Sequence, residues 1–263
     1  MHGAGDGRSF VAAVMTIGAR KEGARAVSSV RGKQILAELL AGEGEGVSLP
    51  QLLCVACVDG LPVTGAGLSL MGDGGVTDSV AATNGVAATM EALQFECGEG
   101  PCVEASRAGR PALFPELERV AARWPGFGPA AVDAGIAAIF AFPLQIGGIR
   151  LGVLDLYRDV TGGLSAAHFG EALAYADAAT SIVLHLQDQM PMGELHPQLF
   201  DPTHDRVEVH QATGMVSVQA GVGLTDALLL LRARAFADDR PVLEVARDVL
   251  AKRARFAEDG RHG

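Results

Sequence analysis

The sequence predicts an α+β chain: a mostly antiparallel sheet with helices packed against it, followed by a small all-α bundle of three helices. Three observations lead there. Between residues 31 and 190, helical and strand-like patterns alternate. Near the end of that stretch two apolar, β-branched runs, Ile136 to Ile146 and Ile149 to Tyr157, are joined by Gly147-Gly148, a strong hairpin signal. Beyond a connector bearing Pro and His, three short helical segments separated by turn signals fill residues 205–256.

The elements follow in order. Lys33 to Leu40 and Leu49 to Val58 suit helices. Gly67 to Met71 alternates like a strand and stops at Gly72-Asp73-Gly74-Gly75, with Asp78 to Thr83 as its partner across the turn. Glu91 to Glu96 reads as helix. Gly98-Glu99-Gly100 breaks it, and Pro101 is placed to open the next helix as its first residue. Pro111 to Phe114 reads as a short strand, and Ala130 to Ala134 as a short helix after the Pro/Gly-dense loop Trp124 to Pro129. The near-continuous hydrophobicity of the final hairpin marks central strands. Ser165 is a good N-cap for a long helix reaching about Gln189, with Leu164 and Phe169 at staple positions. Along that helix Phe169, Leu173, Ala176, Thr180, Val183, Gln187 and Met190 keep heptad spacing. A helix packed on the sheet and a helix that also forms a homodimer seam both account for it.

The last helices are expected over Asp205 to Gln219, from an N-cap at Thr225 with Leu224 and Leu229 as staple, and from near Asp239 and Pro241. Val242, Val245, Ala246, Val249 and Leu250 form an apolar stripe. Small residues, Ala212, Gly214, Ala227 and Ala246, let helices approach closely. The organisation read from these signals is an extension over 1–30 (with Met15 as an alternative start), a sheet-bearing domain over 31–190, a linker over 191–204, and a helical domain over 205–256.

Bulk properties narrow the function. At 263 residues the chain suits one large domain or two smaller ones. A hydrophobic fraction of 49% and a mean hydropathy of +0.25 imply a well-buried core and exclude disorder. No apolar run reaches the ~18–20 residues of a membrane span, and the opening Gly, Asp and Arg lack a signal-peptide layout. A cytoplasmic location and no membrane partner are expected. The net charge of −10 argues against non-specific nucleic-acid binding, which phosphate attraction mostly supplies. The acidity is uneven, however: residues 205–256 hold eight Lys/Arg against seven Asp/Glu.

Four cysteines are present. Cys54 and Cys57 have C-x-x-C spacing but lie in an apolar run without further ligands, so they read as buried small hydrophobes. Cys97 and Cys102 flank a Gly-Pro turn and are candidates for redox chemistry, although Glu96 and Glu99 should raise a nearby thiol pKa. The histidines, including His168, His185, His196, His204 and His210, are scattered without metal spacing. No catalytic triad, P-loop or dinucleotide fingerprint occurs. No metal or cofactor is expected.

Two sets of motifs carry family resemblances. Ala212-Thr213-Gly214, Asp226-Ala227, Leu231-Arg232 with Ala235, and Val245-Ala246 resemble the ANTAR domain, an RNA-binding three-helix module of bacterial antiterminators. Gly98-Glu99-Gly100-Pro101-Cys102, Arg123-Trp124-Pro125-Gly126-Phe127, Phe142-Pro143-Leu144 and Leu151 to Tyr157 resemble GAF domains, especially those fused to ANTAR modules in actinobacteria. The ANTAR resemblance implies a homodimeric regulator, not an enzyme, that binds RNA stem-loops in leader transcripts and prevents terminator formation. It implies RNA contacts from Arg206, Thr213, Gly214, Arg232, Arg234 and Arg240. The sequence departs from that family's pattern at Thr213, where Lys or Arg is common, and at Leu228, which is often aromatic. The GAF resemblance implies a pocket beside the sheet, walled by Phe95, Phe114, Trp124, Phe127 and Phe140, for a small and mostly apolar effector. A core filled by these same rings is the alternative. Some GAF proteins reduce free methionine sulfoxide with cysteines, which keeps a thiol-reductase reading in view.

Overall fold

The first three helices each start where a side chain accepts from a free backbone N–H group. In the computed structural model, which describes residues 29–42, 46–72, 75–191, 194–199 and 206–256, helix α1 (Val30–Ala41) is capped by the Ser29 hydroxyl accepting from Gly32 N, and α2 (Leu49–Gly60) by Ser48 accepting from Gln51 N. Strands β1 (Gly65–Gly72) and β2 (Gly75–Ala82) form an antiparallel pair. Helix α3 (Gly85–Cys97) is capped by Asn84 and stopped by Gly98 at φ 66°, a left-handed conformation that favours glycine. It begins six residues before the segment that reads as helical in the sequence. Pro101 opens α4 (Pro101–Ala108) as expected. Then come β3 (Ala112–Phe114), two single 3₁₀ turns, and α5 (Phe127–Asp133).

Strands β4 (Ala138–Ile146) and β5 (Ile149–Arg158) form the expected hairpin, pairing from Ile146↔Ile149 to Ala138↔Arg158. Gly147 takes φ 58° at its turn. The five strands lie in the order β2-β1-β5-β4-β3, all neighbours antiparallel, so the late hairpin occupies the centre. Its two runs are therefore buried on both faces, as their hydrophobicity requires.

Helix α6 (Ala166–Gln187) carries the predicted Ser165 cap, which accepts from His168 N at 3.1 Å. Four of its heptad positions, Ala176, Thr180, Val183 and Gln187, are buried within this one chain. Thr180 donates to the Ala176 carbonyl and Gln187 to the Glu194 carbonyl. Helix α6 packs against α1, α2 and the sheet, so the heptad pattern here serves intramolecular packing. Of the seam, Leu173 stays exposed, at 39%.

Helices α7 (Arg206–Ala220), α8 (Leu224–Ala237) and α9 (Val242–Leu250) pack on one another. Helix α8 starts one residue before Thr225, with Gly223 at its N-cap position and no side-chain cap. Two apolar cores result. One lies between the sheet and α1, α2 and α6. The other lies on the opposite sheet face, under α3, α4 and α5, and runs on without a break into α7–α9. Among the described residues no single helix is long and apolar enough to cross a membrane. Most of the expected 1–30 extension, Asp73, Gly74, half of the 191–204 linker including His204, Asp205 and the Arg206 side chain lie outside the described residues.

Candidate functional site

Strand parity decides which predicted pocket residues meet. Phe140 pairs with Leu156 on the face toward α6, in the first core. Phe95, Phe114, Trp124 and Phe127 belong to the opposite core. The expectation that all five wall one pocket is corrected on this point: alternate residues of β4 face opposite ways, so Ile139 and Ala141, not Phe140, look toward α3–α5. The other four rings are buried. Trp124 meets Phe114 edge-on at 4.9 Å and Phe127 at 6.2 Å. Arg123 lies over both Phe114 and Trp124 while pairing with Glu104 at 2.9 Å.

On the same sheet face is a buried polar cluster that sequence reasoning missed. Val153, Asp155 and Tyr157 share that face of β5, Ser69 comes from β1, and Glu91 and Gln94, one turn apart, descend from α3. Ser69 donates to Glu91, and Tyr157 donates to Glu91 Oε1 at 2.6 Å. The Gln94 amide donates to Asp155 Oδ2 at 3.0 Å, and its carbonyl accepts from Cys102 N at 2.9 Å. Gly67, directly opposite Asp155 in the ladder, makes room: a Cβ there would collide with the Glu91 carboxylate. Asp155 Oδ1 is buried without a hydrogen-bond partner. Burial, then the neighbouring Glu91, holds the Asp155 carboxyl well above its usual range, against the opposing Gln94 amide. Tyr157 is pushed up by the same causes. The cluster can hold a proton in the sheet but offers no open surface. Its signals were readable: a lone Asp in the apolar L-G-V-L-D-L-Y, and Glu and Gln three apart in M-E-A-L-Q-F.

The cysteines sit in settings that disfavour thiolates. Cys54, Cys57 and Cys102 are buried and all four are free. Cys102 is raised well above its usual value chiefly by burial. Cys97, partly exposed, is pushed up to about 11 by burial and then by Glu99 and Glu96.

The residues expected to contact RNA separate into distinct environments. Thr213, 2% exposed, donates to the Val209 carbonyl within α7, and Arg232, 7% exposed, lies over the Phe95 ring at 5.3 Å. The Thr213 side chain is turned inward, which corrects the expectation for it, while Arg232, mostly buried, borders a cleft. The physical reason is packing: Thr213 lies on the inner face of α7, and Arg232 lies over Phe95 and against Gly98 at the end of α3. Gly214 is half-buried with open space where a side chain would stand. Arg234 is exposed and paired with Asp238 at 2.6 Å. Arg240 pairs with Glu244 at 3.1 Å and Asp248 at 2.9 Å. Beside Arg232 opens a cleft of about 790 Å³ between the end of α3, the Pro125-Gly126 turn, α8 and the start of α9.

No family model matches the chain, and no curated protein matches it. Solved structures do. The GAF domain of a phosphoenolpyruvate-protein phosphotransferase from Coxiella burnetii covers 61% of this chain and 98% of its own length, at 16% identity and a TM-score of 0.47. That of the Acinetobacter phosphoenolpyruvate-protein phosphotransferase covers 62% and 95%, at 12% and 0.46. A type II free methionine-R-sulfoxide reductase from Thermoplasma acidophilum covers 60% and 96%, at 12% and 0.38.

Proposed function

We propose that the chain is a signal-responsive regulator of transcription. In this reading residues 31–190 are a GAF-type sensor, and residues 205–256 an ANTAR-type module that binds RNA stem-loops and prevents termination, acting as a homodimer and not as an enzyme. The observation that carries the RNA-module reading is the placement of its motif residues. Ala212, Ala227 and Ala246, one motif residue from each helix, are all buried where α7, α8 and α9 pack on one another. Small side chains at such positions let short helices pack closely enough to share a core. The sensor reading is supported by the element order and by a central β4–β5 hairpin covered by helices on both faces. The raised pKa values of Cys97 and Cys102 count against thiolate chemistry in a reductase.

The test is binding of the full chain to a leader-type RNA hairpin and to unstructured RNA of equal length across a salt series. Hairpin preference is expected. Arg234→Ala with Arg240→Ala should weaken binding and lower the salt slope by about one for each phosphate no longer neutralised. If the hairpin binds no better than the unstructured strand, the RNA reading fails and a sensor without RNA remains. The in-chain ion pairs of Arg234 and Arg240 favour that second reading.

A further inference from the structure

We propose that Asp155 and Glu91 form a proton-operated switch: when Asp155 loses its proton, α3 is loosened from the sheet, and with it the docking of α7–α9 against Phe95. The signal read by the sheet-bearing domain is then the proton itself.

The hydrogen bonds decide which carboxyl holds the proton. Glu91 accepts O–H donors on both oxygens, from Ser69 and from Tyr157 at 2.6 Å, a setting that favours its anion. Asp155 accepts the Gln94 amide on Oδ2 at 3.0 Å, and its Oδ1 is buried with no hydrogen-bond partner among the described residues. A second anion at Asp155 would be short of donors and would face the first. The arrangement therefore fits one proton for the two carboxyls, placed on Asp155. The titratable groups facing Asp155 are Glu91 from α3, Tyr157 from its own strand and Cys102 from α4. Its ladder neighbours, Gly67 on β1 and Ala141 on β4, bring no charge. Arg232 of α8 acts weakly on Cys102.

The same side chains tie α3 to the sheet. Gln94 reaches Asp155 Oδ2, the Tyr157 hydroxyl at 3.3 Å and the Cys102 backbone N–H at 2.9 Å, so α3, β5 and the start of α4 meet at one residue. Phe95 comes next in α3. Its ring carries Arg232 of α8 at 5.3 Å and meets His210 of α7 edge-on at 6.3 Å. Two neighbouring buried anions repel each other. Asp155 is fixed in a central strand paired on both sides, so the repulsion acts on the helix that bears Glu91. A shift of α3 away from β5 carries Phe95 with it and weakens both ring contacts. As the input of a regulator this rests on the sensor reading above, but its test contains no RNA, so that either can fail alone.

The test is hydrogen exchange of the full chain from about pH 5 to about pH 8, with each rate taken relative to an unstructured peptide at the same pH. An opening that releases one proton from Asp155 becomes more favourable by about tenfold per pH unit. Relative rates over α3 and residues 206–256 should climb with that slope and stay above those of β4 and β5. Asp155→Asn should flatten the climb. Glu91→Gln, which removes the repulsion, should end it at a lower pH. His210 lies 3.9 Å from Asp78, and a histidine ordinarily titrates in this range, so His210→Gln is the control and should keep the slope. A flat parent profile over 206–256, or a slope that survives Asp155→Asn, overturns the proposal. A slope lost in His210→Gln also does so and gives the pH response to the histidine. Equal relative rates in the last helices and in β4–β5 would make the slope one of global unfolding, with no switch between the two parts.

Discussion

Asp155 shows how one residue can set a pH response for the whole chain. Its carboxyl is buried, one oxygen takes the Gln94 amide, and the other has no partner. Burial and Glu91 favour its neutral form. The folded chain therefore keeps a proton that the unfolded chain releases near about pH 4. The Asp155 contribution to stability is greatest below that pH and falls as pH rises above it, until the folded group itself ionises. Asp155→Asn keeps an acceptor for Gln94 and is uncharged throughout. The variant should match the parent near about pH 4, exceed it at neutral pH, and show a flatter pH profile in urea midpoints. A variant whose midpoints run parallel to the parent's across the range would show that Asp155 is not the proton holder.

At the scale of elements, caps and turns explain which parts of the fold were legible. Ser165 accepts from His168 N as its position suggests, and Gly147-Gly148 makes the predicted hairpin turn. Ser165→Ala should cost about 1 kcal/mol, a Tm decrease of about 2–4 °C for a chain of this size, measurable by calorimetry. These signals are local, and local sequence contains them in full. What needed pairing partners was not legible. Aromaticity, visible in a sequence, groups Phe140 with Phe95, whereas the sheet face a residue takes depends on register. Asp155 and Glu91 are 64 positions apart, and only the β1–β5 register with Gly67 opposite brings them together. The α6 heptad shows the converse: a real periodicity was readable, but not that α1 and α2 would cover it. The arginines were visible as charges, while the burial of Arg232 over Phe95 depends on how the last helices dock.

That docking governs the molecule as a whole. The second core passes from the sheet face into α7–α9, and its join includes Arg232 over Phe95, and His210 edge-on to Phe95 at 6.3 Å and 3.9 Å from Asp78. A desolvated cation–π contact is worth about 2 kcal/mol. Arg232→Ala removes that contact and leaves both the sheet ladder and the α7–α9 core residues in place. Hydrogen exchange should then accelerate across residues 206–256 and at the end of α3, while amides of β4 and β5 keep their protection. Uniform acceleration over β4, β5 and the last helices would instead mean that sheet and helices unfold as one unit, and that the Phe95–Arg232 join is part of a single core and no hinge.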